Sequence, residues 1–134
     1  MSIFKWSDDL ITNNSQIDSD HKLIIEKAAE LHQALTQSKG QEHVLKTLTF
    51  LNDYVKKHFA EEEKLQMKNE YPLIADHKKN HAYFINELDK LTMKIKSQPS
   101  SVANAIELNN LISGWFFKHI KRMDVEVANH LRKK

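Results

Sequence analysis

Apolar residues recur along this chain at alternating steps of three and four, which is the spacing of helices that bury one face. In the second such segment, Val44, Leu48 and Leu51 follow one another at steps of four and three, a spacing typical of a bundle seam. The residues up to about Ile17 lack this pattern, so we expect them to form an extended N-terminal arm. The periodicity predicts an all-α protein whose four helices cover residues 18–38, 41–68, 72–96 and those from 102 onwards.

Turn-forming residues support the same division. Gly40 follows the first helical segment, Pro72 suits the first turn of the third, and Pro99 lies in the polar stretch before the fourth. Only two glycines and two prolines occur in 134 residues, which leaves little turn chemistry for a β-sheet. Helices of similar length joined by short links predict an up-down-up-down antiparallel four-helix bundle, formed by a single domain over residues 1–134.

Composition narrows the class of protein. Hydrophobic residues make up 40% of the chain and the mean hydropathy is −0.60, which favours a soluble globular protein. The formal net charge of +2 predicts no strong attraction to nucleic acid or anionic lipid. The absence of cysteine excludes disulfides, iron–sulfur clusters and thiol catalysis. Neither a secretory signal nor a membrane-spanning run is evident, so the expected location is the cytoplasm.

Six titratable residues interrupt the apolar seams: His21, His58, Glu62, His77, His81 and His119. Such side chains are costly in a core unless they are paired or bind a metal. His58 and Glu62 are four residues apart and share a helix face, as do His77 and His81. In an antiparallel bundle, residues early in the first and third helices lie level with residues late in the second and fourth. All six are therefore expected at one end of the core.

Asp124 is geometrically a weaker candidate for the same site. It lies five residues beyond His119, about 140° around a regular helix, and periodicity places Met123 inside instead. With Asp124 the set holds five imidazoles and two carboxylates, more than one tetrahedral or octahedral ion can use. Two metal ions are implied, and iron, zinc, copper or nickel suits these ligands. Two octahedral irons sharing a bridging oxygen would leave one position open for a ligand such as dioxygen.

These spaced residues resemble the hemerythrin family, and within it the single-domain bacterial branch. The resemblance covers nearly the whole chain, and Trp6 and Tyr71-Pro72 also fit it. The segments that carry it are Ile17-Asp18-Ser19-Asp20-His21, His58-Phe59-Ala60-Glu61-Glu62, His77-Lys78-Lys79-Asn80-His81 and Trp115-Phe116-Phe117-Lys118-His119-Ile120, followed by Asp124. One His-x-x-x-His pair would be a weak signal, whereas several spaced motifs in the family order are a specific one.

The resemblance implies three groups of ligands: histidines on one iron, histidines on a second iron with an open position, and carboxylates that bridge the two irons. In that order they are His77, His81 and His119; His21 and His58; and Glu62 and Asp124. Dioxygen would bind reversibly and end-on at the open position as a hydroperoxide, for carriage, storage or delivery. No catalytic residue is implied, so the chain is not expected to be an enzyme. The alternative is a di-iron enzyme, or a protein that handles iron, oxidative stress or nitric oxide.

Two positions depart from the pattern of the family. Asp20 stands where glutamine is usual, and we expect it to alter the surroundings of His21. Phe116 stands where leucine is usual in relatives, at a position that lines the ligand pocket, so its larger ring is expected to narrow access or to alter autoxidation.

The other three histidines are predicted not to bind metal. His32 and His130 each lie eleven residues beyond a predicted ligand, about 16 Å along a helix axis, and His43 starts a helix without a partner. In the acidic run Glu61–Glu63, Glu62 alone is expected to face inward.

Overall fold

The computed structural model describes residues 5–37, 40–98 and 101–132, and within them three long helices and a fourth helical run pack side by side. Helix α1 covers Ser15–Thr36, α2 covers Gln41–Lys68 and α3 covers Ile74–Ser97. The fourth helix spans residues 102–132. No β-strand occurs in the described part of the chain. The predicted all-α four-helix bundle is confirmed.

The helix bounds follow local capping chemistry. The predicted bounds of α2, Gln41–Lys68, are confirmed. Helix α1 begins three residues before the predicted start because the Asn14 side chain accepts a hydrogen bond from the Ile17 N–H at 3.0 Å. Asp18, the predicted first residue, instead accepts hydrogen bonds from the backbone N–H and the hydroxyl of Thr12, at 3.0 and 2.7 Å. These contacts fix the path of the chain into the bundle.

The extended N-terminal arm is not confirmed. Asp8–Leu10 form a 3₁₀ turn, and Leu10 is buried against the bundle. Residues 1–4 lie outside the described residues. So do Ser38, the predicted end of the first helix, Pro99 in the predicted turn, and the last two lysines.

The fourth helix is not a regular α-helix. Two π-helical segments, Asn110–Phe116 and Ile120–Asp124, interrupt it, although the backbone stays in the right-handed helical region at each junction. The α-helical segments between and around them are Val102–Asn109, Phe117–His119 and Val125–Arg132. π turns are rare and often lie at functional sites.

The interior divides into an apolar end and a polar end. Fully buried leucines and isoleucines fill the apolar end, among them Leu31, Leu35, Leu48, Leu88 and Leu108. Three buried rings, those of Phe59, Phe84 and Phe116, separate this region from a group of buried polar side chains. None of the described helices is both long and apolar enough to cross a bilayer.

Candidate metal centre

The polar end of the core contains all seven residues that the sequence predicts to bind metal. They come from all four helices, and none is more than 4% exposed: His21, His58, Glu62, His77, His81, His119 and Asp124. His21 and His77 lie early in their helices, whereas His58 and His119 lie late. Their meeting at one level shows that neighbouring helices run antiparallel.

The side chains form two groups of potential ligand atoms, and within each group the atoms lie within 4.8 Å of one another. Two carboxylates, Glu62 and Asp124, belong to both groups. One group adds three histidines to them and the other adds two. The memberships are Glu62, His77, His81, His119 and Asp124 for the first, and His21, His58, Glu62 and Asp124 for the second.

Each shared carboxylate directs one oxygen to each group. Asp124 Oδ1 lies 3.0 Å from His77 Nε2, while Oδ2 lies 3.0 Å from His21 Nε2. Glu62 Oε1 lies 3.1 Å from His81 Nε2, and Oε2 lies 3.9 Å from His58 Nε2. Carboxylates placed in this way would be able to hold two metal ions between them.

Many of these atoms are close together without being hydrogen-bonded. Ten buried side-chain nitrogen and oxygen atoms of the described residues lack a hydrogen-bond partner. Nine of them belong to the seven residues, of which His77 alone contributes none, and the tenth is Gln66 Oε1. Unpartnered polar atoms of this kind are rare in protein interiors, because each costs free energy. Their short separations and poor hydrogen-bond angles indicate that they converge on shared points, as metal ligands do.

The distances between neighbouring ligand atoms can also be compared with those around a metal ion. At metal–ligand distances of about 2.1 Å, adjacent ligands are about 3.0 Å apart in an octahedron and about 3.4 Å apart in a tetrahedron. His77 Nε2 lies 3.1 Å from His119 Nε2 and 3.0 Å from Asp124 Oδ1, and His119 Nε2 lies 3.2 Å from the same oxygen. The spacing within the three-histidine group is close to that of ligands around a six-coordinate ion, and it is also an ordinary contact distance between polar atoms.

Asp124 reaches this site because of the π turn that precedes it. The Val125 N–H donates to the Ile120 carbonyl, five residues back instead of four. The extra residue in the turn removes about 100° of rotation, so Asp124 lies about 40° from His119 around the helix, not about 140°. Asp124 is fully buried and Met123 is only half-buried, so the periodicity argument for Met123 was wrong.

Asp20 contacts a different histidine from the one expected. Its Oδ2 accepts a hydrogen bond from His58 Nδ1 at 2.9 Å, whereas we expected it to act on His21. Adjacent helical residues point about 100° apart, and Asp20 faces α2. Its Oδ1 accepts from the Tyr54 hydroxyl at 2.7 Å and from the Gln16 amide at 3.0 Å. Burial raises the pKa of Asp20, but the hydrogen bonds from His58 and Tyr54 bring it below its usual value.

Two further side chains hold the outer nitrogens of the histidines. Glu63 Oε2 accepts from His81 Nδ1 at 2.7 Å, and Gln66 lies with its amide nitrogen 2.8 Å from His77 Nδ1. The expectation that Glu62 alone of the acidic run faces inward was therefore wrong. Gln66 is fully buried, and its position four residues after Glu62 was the signal that could have identified it.

The electrostatics of the centre favour ionised carboxylates beside positive charge. Burial lowers the pKa of His77, but the adjacent carboxylates of Asp124 and Glu62 raise it to about 9. Burial raises the pKa of Asp124, but His119 and the other imidazoles lower it well below its usual range. Burial and Asp124 raise the pKa of Glu62, but the adjacent imidazoles of His77 and His81 bring it below its usual value. Two buried carboxylates of this kind are suited to cations.

Aromatic rings enclose the histidines. Phe59 stacks on His81 with ring centroids 3.8 Å apart, and Trp115 stacks on His119 at 4.6 Å. Phe116 meets His21 edge-on at 5.5 Å. The prediction that Phe116 lies beside the site is confirmed, whereas its effect on ligand access stays a prediction.

The other three histidines lie outside both groups of ligand atoms. His130 Nε2 lies 2.8 Å from the Asn69 carbonyl oxygen, and His43 Nε2 lies 3.8 Å from a carboxylate oxygen of Glu30. His32 is half-buried in α1, and burial lowers its pKa.

Fold and site together define a four-helix bundle whose buried histidines and shared carboxylates suit a pair of metal ions. Residues 12–131 match the family described as hemerythrin HHE cation binding domain, and the chain belongs to the hemerythrin family. The prediction of that family from sequence motifs is confirmed.

Curated relatives agree with this assignment over nearly the whole chain. A bacteriohemerythrin of Pseudomonas aeruginosa (strain LESB58) is 34% identical over 134 residues, which is 98% of this chain and 84% of the relative. A bacteriohemerythrin of Stenotrophomonas maltophilia (strain R551-3) is 32% identical over 132 residues, with the same coverage. A more distant bacteriohemerythrin, of Clostridium acetobutylicum, is 23% identical over 127 residues, which is 92% of this chain and 98% of the relative.

Proposed function

We propose that this chain binds dioxygen reversibly at a non-haem di-iron centre, for carriage, storage or delivery. The observation that carries the proposal is the division of the Glu62 and Asp124 oxygens between a group with three histidines and a group with two. The unequal numbers of histidines leave one side with fewer protein ligands. The family and the relatives named bacteriohemerythrin support iron as the metal.

In this proposal every residue of the centre is a ligand. The ligands of the fuller side are His77, His81 and His119, those of the side with an open position are His21 and His58, and the bridges are Glu62 and Asp124. Two ferrous ions would supply two electrons. The ion with fewer protein ligands would keep one position open for a small ligand. The stacked rings of Phe59 and Trp115 would hold the imidazoles in place and keep bulk water from them.

We also propose that binding proceeds without a catalytic residue. Among the described residues, Asp20, Glu63 and Gln66 hold outer histidine nitrogens, and aromatic rings pack on the imidazoles. Each of these three contacts has a positioning role of the kind that second partners have at metal sites. This arrangement favours a binding protein over a di-iron enzyme.

Reversible colour change tests the proposed function. The protein would be loaded with iron, reduced, exposed to air and then deoxygenated, while its visible spectrum is recorded. We expect a ligand-to-iron charge-transfer band that forms with air, is lost when oxygen is removed, and returns over several cycles. Irreversible oxidation in the first cycle, or steady release of hydrogen peroxide, would contradict reversible binding and favour the enzyme alternative.

Glu63 should support metal affinity through His81. Replacing Glu63 with alanine removes the acceptor for His81 Nδ1–H, so we expect metal affinity to fall about 10- to 100-fold. Cobalt(II) titration followed by absorbance would measure it. Glu87→Ala is the matched control, because Glu87 has a similar exposure, 32% against 26%, and its carboxylate lies 3.4 Å from the Lys90 ammonium on the surface. Equal affinities of the two variants would contradict this role.

A further inference from the structure

A cleft of about 210 Å³ between α1 and α2 reaches the two-histidine side of the centre. Ile17 and Leu65 contribute apolar side chains to its lining, and His58 is also part of that lining. The charged side chains along it are all carboxylates: those of Asp20, Glu61 and Glu62. No lysine or arginine is among its lining residues in the part of the chain that the structure describes.

The inner end of the cleft carries unpartnered polar atoms. His58 Nε2 and both Glu62 oxygens lack hydrogen-bond partners, and each of these residues is only 3% exposed. Both residues line the cleft. Buried atoms of this kind are where a metal ion and its small ligand would lie, so the cleft leads to the part of the centre with fewer protein ligands.

Asp20 is held rigidly in this cleft. Its two oxygens accept hydrogen bonds from His58, Tyr54 and Gln16, at distances of 2.9, 2.7 and 3.0 Å. The carboxylate therefore cannot rotate towards solvent without losing three bonds. Asp20 is 7% exposed, so salt screens its charge less than it screens a surface charge.

A second opening has a net positive charge, opposite to that of the cleft between α1 and α2. It has a volume of about 430 Å³ and is lined partly by His119 and Trp115. Its charged lining residues are the basic Lys118 and Arg122 and the acidic Glu126, so positive charge is in excess. It approaches the group that has three histidines, not the group that has two. The two faces of the centre thus differ both in the sign of the charge and in which histidines they reach.

We propose that the cleft between α1 and α2 is the route by which small ligands reach the two-histidine side, and that Asp20 makes this route selective for neutral ligands over anions. The inference rests on the di-iron site of the proposed function, but not on the reversibility of dioxygen binding. A fixed negative charge beside a narrow route repels anions and leaves uncharged diatomic molecules unaffected. One weakly screened charge close to such a route changes the rate of anion association by about tenfold.

Asp20→Asn tests this selectivity with two probes. Azide, an anion, would be mixed with the diferric protein, and nitric oxide, a neutral molecule, with the diferrous protein, both in stopped-flow experiments at several salt concentrations. We expect the ratio of the azide rate to the nitric oxide rate to rise about tenfold in the variant at every salt concentration, because salt screens this buried charge only weakly. The ratio cancels any change that the altered contact with His58 makes to both rates. Near-UV circular dichroism and a metal count of about two per chain would verify that the variant is folded and loaded.

Two comparison variants separate charge at the cleft from other effects. Glu26→Gln removes the same charge from the exposed surface of α1, outside the cleft, and should change neither rate. Glu61→Gln removes a charge from the cleft lining without touching a histidine ligand. It should accelerate azide less than Asp20→Asn does, because Glu61 is 52% exposed and lies 3.9 Å from Lys57.

Three outcomes would overturn the proposal. The first is an unchanged azide association rate in Asp20→Asn, and the second is an equal acceleration of azide and nitric oxide. The third is a slowing of azide association in Arg122→Gln by a larger factor than Asp20→Asn accelerates it. That result would assign the route to the opposite face. If the cleft proves selective but the protein oxidises irreversibly, this inference stands and reversible dioxygen binding is contradicted. If the chain binds no metal pair, both proposals are contradicted.

Discussion

Replacing Asp124 with alanine is expected to lower the metal content from about two ions per chain to at most one. Asp124 is fully buried, and its two oxygens face both groups of histidines. Without it each group loses an anionic ligand, and Glu62 alone would have to offset the charge of both ions. Metal analysis after dialysis, together with titration by cobalt(II), would measure the loss. A variant that retains two ions with unchanged affinity would contradict the bridging role.

The π turn gives this prediction a sharper control. In a regular α-helix position 123 would face inward. The exchange Met123→Asp with Asp124→Met would then still place a carboxylate in the centre, and the protein would keep a pair of ions. We expect the exchanged protein to lose the pair just as Asp124→Ala does, because the turn over Ile120–Asp124 directs position 124 inward. Retention of two ions by the exchanged protein would show that the register of the fourth helix differs from that described.

The fold and six of the seven clustered residues follow from periodicity. Seams with steps of three and four fix which face of each helix is buried, and a histidine such as His58 on that face must find a partner inside. Antiparallel packing then places early and late residues at one level. The seventh residue, Asp124, was identified only through the family resemblance, because no feature of the sequence signals a hydrogen bond from residue 125 to residue 120.

The side chains that contact the histidine ligands were harder to predict than the ligands themselves. Asp20 adjoins His21 in sequence but contacts His58 on another helix, 38 residues away. Glu63 was interpreted as a solvated residue, yet it contacts His81 across a helix interface while staying 26% exposed. Such contacts depend on side-chain direction and helix rotation, which periodicity defines only to within a residue.

Removing the metal is expected to lower the melting temperature by about 10 °C or more. Nine buried nitrogen and oxygen atoms of the centre lack hydrogen-bond partners, so without metal ions their desolvation is offset by no bond. A ligand present at a thousandfold excess over its dissociation constant stabilises the folded state by about 4 kcal/mol. For a domain of this size, each kcal/mol shifts the melting temperature by roughly 3–5 °C. Calorimetry of iron-loaded protein and of protein reduced and treated with a chelator would measure the difference.

Asp124→Ala provides the internal control for this measurement. If stabilisation comes from metal in the buried centre, the chelator should lower the melting temperature of the variant much less than that of the wild-type protein, since the variant has at most one ion to lose. Adding iron back should restore the wild-type value alone. A metal-free wild-type protein that melts at the same temperature as the loaded one would mean that the histidines and carboxylates satisfy each other, and the case for a metal pair at Glu62 and Asp124 would fail.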